Sequence, residues 1–415
     1  MFAKNRNLLI LSFSLIVVML GFGMVIPIFP FYIDQLGAGG SALGLLVATA
    51  ALTELIFGPV WGSVSDRTGR KPILMIGVLG YGLSLLFFGL ATELWMLFVA
   101  RALSGILSSA ALSTAMAYIG DSTTKEERGG GMGAIGAAAG LGVILGPGIG
   151  GWLAGDSLAT PFFIGAALSL VSVLLIALLL PETLPREARV QTVGKISIGN
   201  WRGLRQAMSK GSPIRFLLFM AFFVTFGTAN FEAIFGLFML NKHGYGPEQV
   251  GAILTVVGFV ALIGRGLLTG VATKWWGEPK VILISLLAGA IGFGLLLLAQ
   301  SYAAVLITTG FFVLTTTFLR PSIHSLTSQR ATLGQGAAMG LSNSAVSLGR
   351  VIGPLWAGAI FDLGPNYPYI SGALILFSGF IVCALWLRRG PQTAAPPAAT
   401  PAPLESAPAS RPIAR

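Results

Sequence analysis

A single cysteine, Cys383, leaves this 415-residue chain without an intramolecular disulfide. Its two histidines, His243 and His324, have no metal-ligand spacing between them, so no metal site is expected. No G-x-x-x-x-G-K-[ST] phosphate loop occurs; Gly194-Lys195 is followed by Ile196 and lacks the upstream glycine. Neither H-E-x-x-H nor G-x-S-x-G is present. Nucleotide hydrolysis and intramembrane proteolysis therefore have little support, and the chain reads as a non-enzyme that needs no cofactor. Charge is scarce as well. Only 10% of residues are charged, against 54% hydrophobic and a mean hydropathy of +0.83, which is too little polar surface to cover a soluble globule of this length.

What is there instead is apolar sequence. Runs at about 7–33, 41–64, 72–92, 94–119, 130–155 and 158–181, then 214–240, 248–273, 281–300, 302–319, 333–361 and 366–387, are each about long enough to cross the hydrocarbon. They predict an all-α membrane protein of twelve transmembrane helices. The first run follows Lys4 and Arg6 but is much longer than a signal-peptide core, so it is expected to be retained.

The net charge of +11 is placed in a way that argues against nucleic acid as a partner. All but four of the 26 basic residues fall in alternate loops or at the termini, while the intervening loops carry only Lys242. This asymmetry predicts a multi-pass protein of the cytoplasmic membrane with both termini in the cytoplasm.

The chain is also duplicated. At an offset of 207, Asp34 meets Asn241, Gly44 meets Gly251, Met132-Gly133 meets Met339-Gly340, and Gly146-Pro147 meets Gly353-Pro354. Two pseudo-symmetric six-helix halves, 1–185 and 213–388, follow, joined by a basic cytoplasmic linker at 186–212. After Gly390 the composition turns to Pro and Ala, and 389–415 reads as a disordered tail.

The loop Gly62-Ser-Val-Ser-Asp-Arg-Thr-Gly-Arg-Lys71 packs four charges between two apolar runs, and Gly270-Val-Ala-Thr-Lys-Trp-Trp-Gly-Glu278 echoes it with the charges reversed. The fifth run contains Gly142-Val-Ile-Leu-Gly-Pro-Gly-Ile-Gly-Gly151, where Gly142, Gly146, Gly150 and Gly151 permit close helix contact and Pro147 removes a backbone donor. The first loop resembles the signature loop of the major facilitator superfamily, and the fifth run matches the G-x-x-x-G-P-x-x-G-G pattern of its antiporters. The chain as a whole, over about 7–388, resembles the twelve-helix drug:proton antiporters of the bacterial multidrug and tetracycline efflux type. The resemblance implies the major facilitator fold. It also implies a conformational gate of Gly62, Asp66, Arg67, Gly69, Arg70 and Asp121, in which Asp66 meets a neighbouring helix N-terminus and Arg70 pairs with Asp121. Arg320-Pro321 reads as the end of the tenth helix. There are two departures: Thr317 stands where some relatives carry an acid, and Glu54 where a Gln is common.

Ionisable residues inside apolar sequence are the candidate coupling sites. Glu54 and Glu232 are the acids flanked on both sides by apolar residues, and Glu232 is the one expected to be buried in the second half. Desolvation favours a protonated carboxyl and an approaching cation favours the ionised one, so such a group exchanges a proton for a positively charged substrate. A protonated Glu hydrogen-bonded between helices is the alternative for either. Arg101, inside the fourth run, needs a partner or a wet cavity and is expected to hold an acid's charge or alter its proton affinity. Asp34 lies at the outer end of the first run, where simple solvation competes with a role. Phe-rich stretches around Phe22 and Phe226 are candidates for lining a pocket or for plain packing. Arg265 and Arg350 interrupt apolar runs without an assignable partner.

These readings converge on a monomeric secondary transporter that exports a small lipophilic drug-like compound, cationic in the scheme just given, in exchange for protons by alternating access. Efflux of a sugar or other metabolite is the alternative within transport, and a non-transporting membrane receptor or scaffold the alternative of another class.

Overall fold

A computed structural model describes residues 2–155, 157–185, 187, 189, 209, 214–331 and 334–388. Nearly all of the expected linker at 186–212 and the whole of the tail at 389–415 lie outside the described residues. Without water in the bilayer core, each spanning segment has to satisfy its own backbone, and the apolar runs therefore fold as helices. Among the described residues twelve helices are long and apolar enough to cross a membrane. In chain order they are α1 (Phe2–Gln35), α2 (Gly40–Thr68), α3 (Arg70–Gly89), α4 (Leu94–Ser122), α5 (Lys125–Leu153) and α6 (Thr160–Leu179). The second six are α7 (Arg215–His243), α8 (Pro247–Trp276), α9 (Glu278–Leu298), α10 (Tyr302–Gln329), α11 (Gln335–Phe361) and α12 (Tyr367–Arg388).

Three helices of the second half are irregular. α7 breaks after Glu232 and resumes at Phe235, and α8 widens into a π-helical turn over Gly264–Leu268. α10 breaks at Phe318 and restarts at Leu319. Arg320-Pro321 therefore does not end the tenth helix, contrary to the sequence expectation. Pro321 sits in the first turn of the new segment, where a missing N–H costs nothing, and the polar stretch to Gln329 stays helical.

The pairing of helices repeats between halves. In the first half α1 packs on α5 and α6, α2 on α4, and α3 on α4 and α6; in the second, α7 packs on α11 and α12, α8 on α10, and α9 on α10 and α12. Across the halves, α2 meets α11 and α5 meets α8. These two seams are one contact made twice. A side chain at Gly44 would run into the carbonyl oxygen of Pro354, and one at Gly251 into that of Pro147; Gly358 lies against Gly40 as Gly151 lies against Pro247. All of these positions lie at the end of the bundle opposite the chain termini. Toward the start of α1 and the end of α12 the same four helices separate, and among the described residues a Cβ at Gly58, Gly62, Gly136, Gly140, Gly266, Gly270, Gly336 or Gly340 would meet nothing within 4 Å. The protein is thus closed at the seam end and open at the terminal end.

Candidate functional site

The site is a cleft between the halves with a fastening at each end. At the closed end the antiporter-type stretch of α5 divides its small residues between two neighbours. Gly142, Gly146 and Gly150, four apart, face α1, where added Cβ atoms would stand 2.6 Å from the Ile16 carbonyl, 2.6 Å from the Leu20 carbonyl and 2.7 Å from the Met24 Cα. Pro147, Gly148 and Gly151 face α8 of the other half. One helix thereby holds its own half together and closes the cleft. The second fastening here is Asp362, just past α11, whose carboxylate accepts the Gly40 N–H at 2.6 Å, the Ser41 N–H at 2.9 Å and the Ser41 hydroxyl. An anion at the N-terminus of α2 satisfies donors that no helix satisfies internally.

At the open end the loop after α2 is fastened within its own half. Arg70 is buried and gives Nε to Asp121 at 2.8 Å and Nη1 to Asp66 at 2.6 Å and to the Ser65 hydroxyl at 2.7 Å. Glu182, after α6, accepts the backbone N–H groups of Arg70 at 2.9 Å and Lys71 at 3.2 Å, and so caps α3. Gly69 has φ +111°, and any side chain there would meet that carboxylate. Lys71 reaches the Ala177 carbonyl at 2.7 Å.

The structure thus brings Asp66, Gly69, Arg70 and Asp121 together and leaves two gate residues apart. Gly62 has no neighbour at Cβ distance, and Arg67 forms no ion pair among the described residues. Asp66 differs from its expected contact: it meets Arg70 rather than a neighbouring helix N-terminus.

Inside the cleft one of the two acids is also placed differently from expectation. Glu232, expected to be buried, is exposed and stands at the break in α7 rather than within a continuous helix, and Glu54, within the unbroken α2, is exposed as well. Each has an arginine within electrostatic range, Arg101 for Glu54 and Arg320 for Glu232. Arg101 is buried and holds its guanidinium 5.0 Å from the Phe29 ring centroid and 5.8 Å from that of Phe22, with Nε unpartnered beside the unpartnered Tyr81 hydroxyl. Cation–π contact with these two α1 rings accompanies its electrostatic reach to Glu54. Asp34 is exposed at the outer end of α1 and shows no side-chain partner among the described residues. Most of the aromatic stretch is packing: Phe29, Tyr32, Phe88 and Phe162 interlock in one half, Phe231, Phe235 and Phe312 in the other.

Three functional groups escaped the sequence reading. Asp362 had a signal, because an acid at the C-terminal end of its own helix opposes that helix's dipole and is better placed to serve another's N-terminus. Glu182 follows Pro181 directly after an apolar run, a position with no local signal that it caps α3. Arg320 was hidden by the Pro321 that seemed to end its helix.

The sequence model of the Major Facilitator Superfamily matches residues 11–216 and 217–414. The chain is 33% identical over 389 residues to Multidrug resistance protein 2 of Bacillus subtilis (strain 168), covering 93% of this chain and 96% of that one. It is 28% identical over 380 residues to the Quinolone resistance protein NorA of Staphylococcus aureus, covering 91% and 96%. Among solved structures, the nucleoside transporter NupG superposes with a TM-score of 0.74 at 15% identity, over 94% of this chain and 99% of that one. A bacterial homolog to the human lysosomal transporter Spinster superposes at 0.71 and 17%, over 92% and 95%. Below 25% identity these last two speak for the fold alone. With both halves matched, and each built as six helices around a shared cleft, the chain belongs to the Major Facilitator Superfamily, a family of membrane transporters.

Proposed function

We propose that this protein exports lipophilic drug-like compounds from the cytoplasm in exchange for protons, acting as a monomer with both termini cytoplasmic. The observation that carries the reading is the pair of equivalent glycine seams closed at one end while the same four helices separate at the other. That arrangement suits rocking of two rigid halves about a central cleft. The names of the relatives support a drug-like cargo. With the basic end in the cytoplasm, the open end loads substrate from inside. Glu232 and Glu54 are the proton carriers in this reading, each within electrostatic range of an arginine of its own half. Asp66, shared with Arg70 here, is the group that changes partner when the terminal end closes. Each proton entering contributes about 2.3 kcal/mol per 100 mV of membrane potential, and each pH unit adds about 1.4. One or two protons therefore suffice to concentrate a substrate substantially.

The test is a panel of lipophilic compounds in reconstituted vesicles, with and without an imposed proton gradient. Gradient-dependent efflux of several drug-like compounds, lost in Glu232→Gln or Glu54→Gln, is the expected result. Flux of sugars or metabolites alone, or no flux at all, overturns it.

A further inference from the structure

The cleft wall of the second half carries more positive charge than a carrier of simple cations needs. Arg265, Arg320 and Arg350 come from α8, α10 and α11 and lie within electrostatic range of one another through Arg320. The seams fix where two of them point. Arg350 is one turn from Pro354 on the α11 face that meets α2, and Arg265 is two turns beyond Gly258 on the α8 face that meets α5. Both side chains are exposed just where those faces leave the seam and open into the cleft. Arg265 is further held by donating Nε to the Thr317 hydroxyl at 2.9 Å, from within the π-helical turn of α8. π-Turns of this kind are common at functional sites. Arg320 reaches the same wall beside Thr225 of α7 and Val346 of α11.

Against three guanidiniums this wall has one acid, Glu232, and among the described residues none of the three arginines forms an ion pair within 4.0 Å of a carboxylate. Unpaired guanidiniums at membrane depth are costly and call for an anion. We propose that these arginines form an oxyanion site, and that the cargo is an amphoteric lipophilic compound whose carboxylate they hold while its protonated amine meets Glu232. The planar fork of each guanidinium suits a carboxylate. An anion alone would draw a proton toward Glu232 as it bound, which is the sense of cotransport. A second, cationic group is what lets the same cargo expel that proton, so the inference rests on the proton-exchange reading above.

Three matched probes separate the possibilities in purified, detergent-solubilised full-length protein. Nε-dansyl-lysine carries both an amine and a carboxylate, dansyl-cadaverine the amine alone, and dansyl-aminohexanoate the carboxylate alone. The proposal expects Nε-dansyl-lysine to bind at least about tenfold tighter than dansyl-cadaverine, and expects Arg350→Gln and Arg265→Gln each to cost about tenfold for the two carboxylate probes. Dansyl-cadaverine affinity should hold or improve in the same variants, which also reports that they are folded, and Arg350→Lys should recover part of the loss. Equal wild-type affinity for Nε-dansyl-lysine and dansyl-cadaverine overturns the proposal, as does a parallel loss of all three probes in the Gln variants. Gradient-driven efflux of dansyl-cadaverine in vesicles keeps the two readings apart. Efflux without carboxylate preference sinks the oxyanion site alone; carboxylate preference without gradient-driven flux sinks proton exchange alone.

Discussion

In the first half the turn at Gly69 is fastened by ions: Arg70 lies between Asp66 and Asp121, and Glu182 caps the helix that follows. In the second half Gly277 turns in the same place with φ +74°, but Glu278 accepts from the Ser325 hydroxyl at 2.9 Å and the Gln329 amide at 2.7 Å, both on α10. The mechanical result is alike, since each half ties its third helix to its fourth. The electrical result is not. Lys274, in the place of Asp66, forms no ion pair among the described residues, whereas the half-exposed Asp66 shares Arg70 with a second carboxylate. A shared carboxylate can leave for another partner at modest cost because Asp121 stays behind to hold the arginine. The first half therefore carries the movable latch and the second a fixed brace.

The largest effect should come from breaking the packing that both halves share. Gly150→Leu pushes a side chain into the α1 backbone, which has no rotamer to yield, and should abolish transport while leaving expression detectable; over-packing of this kind costs about 1–3 kcal/mol or more. Position 353 sharpens the comparison, since a Cβ there meets the Ala229 side chain first, with the Phe226 carbonyl oxygen farther off at 3.2 Å. Gly353→Ala should impair vesicle transport and be rescued by Ala229→Gly; no rescue means the two halves are not packed by the same rule. Next in size is the latch. Asp66→Asn gives up a charge-assisted bond worth about 1.5–3 kcal/mol and should slow turnover at least about tenfold with membrane insertion unchanged. Lys274→Gln should stay within about twofold, and equal losses at 66 and 274 would remove the assigned asymmetry.

Asp362→Ala tests the closed end. The exposed carboxylate on α2 is worth about 1 kcal/mol, so the seam end should open about fivefold more often. A cysteine introduced at Thr255 beside the α5–α8 seam, in a Cys383→Ser background, should label correspondingly faster in Asp362→Ala. Unchanged labelling would make the contact incidental. The smallest effect belongs to the brace: Glu278→Gln keeps an acceptor for Ser325, and should move the melting temperature by no more than about 2–4 °C and leave turnover near wild type.

The parts of this structure that lipid dictates were legible in sequence. Twelve runs became twelve helices because each had to satisfy its backbone alone. The repeat that paired Gly44 with Gly251 also marked both seams, since equivalent glycines were kept small for equivalent contacts. What could not be read was whatever depends on the distance between the halves. Apolar neighbours made Glu232 look buried, yet Phe231, Ala233 and Ile234 pack within the second half while the Glu232 side chain stays exposed at the break in α7. Asp66 has a partner set by which end is closed, and Arg320 needed the break at Phe318 to be seen as part of a helix.

The glycine seams also bias what random change does to this carrier. Gly44, Gly151, Gly251 and Gly358 touch the opposite half's backbone in the conformation described. A substitution at any of them adds volume to that conformation. Mutational drift at these four sites is thus not neutral between the two faces of the membrane: it ratchets the protein toward opening at the seam end. Because the facing atoms are backbone carbonyls, no loss of side-chain bulk on the facing helix brings it back.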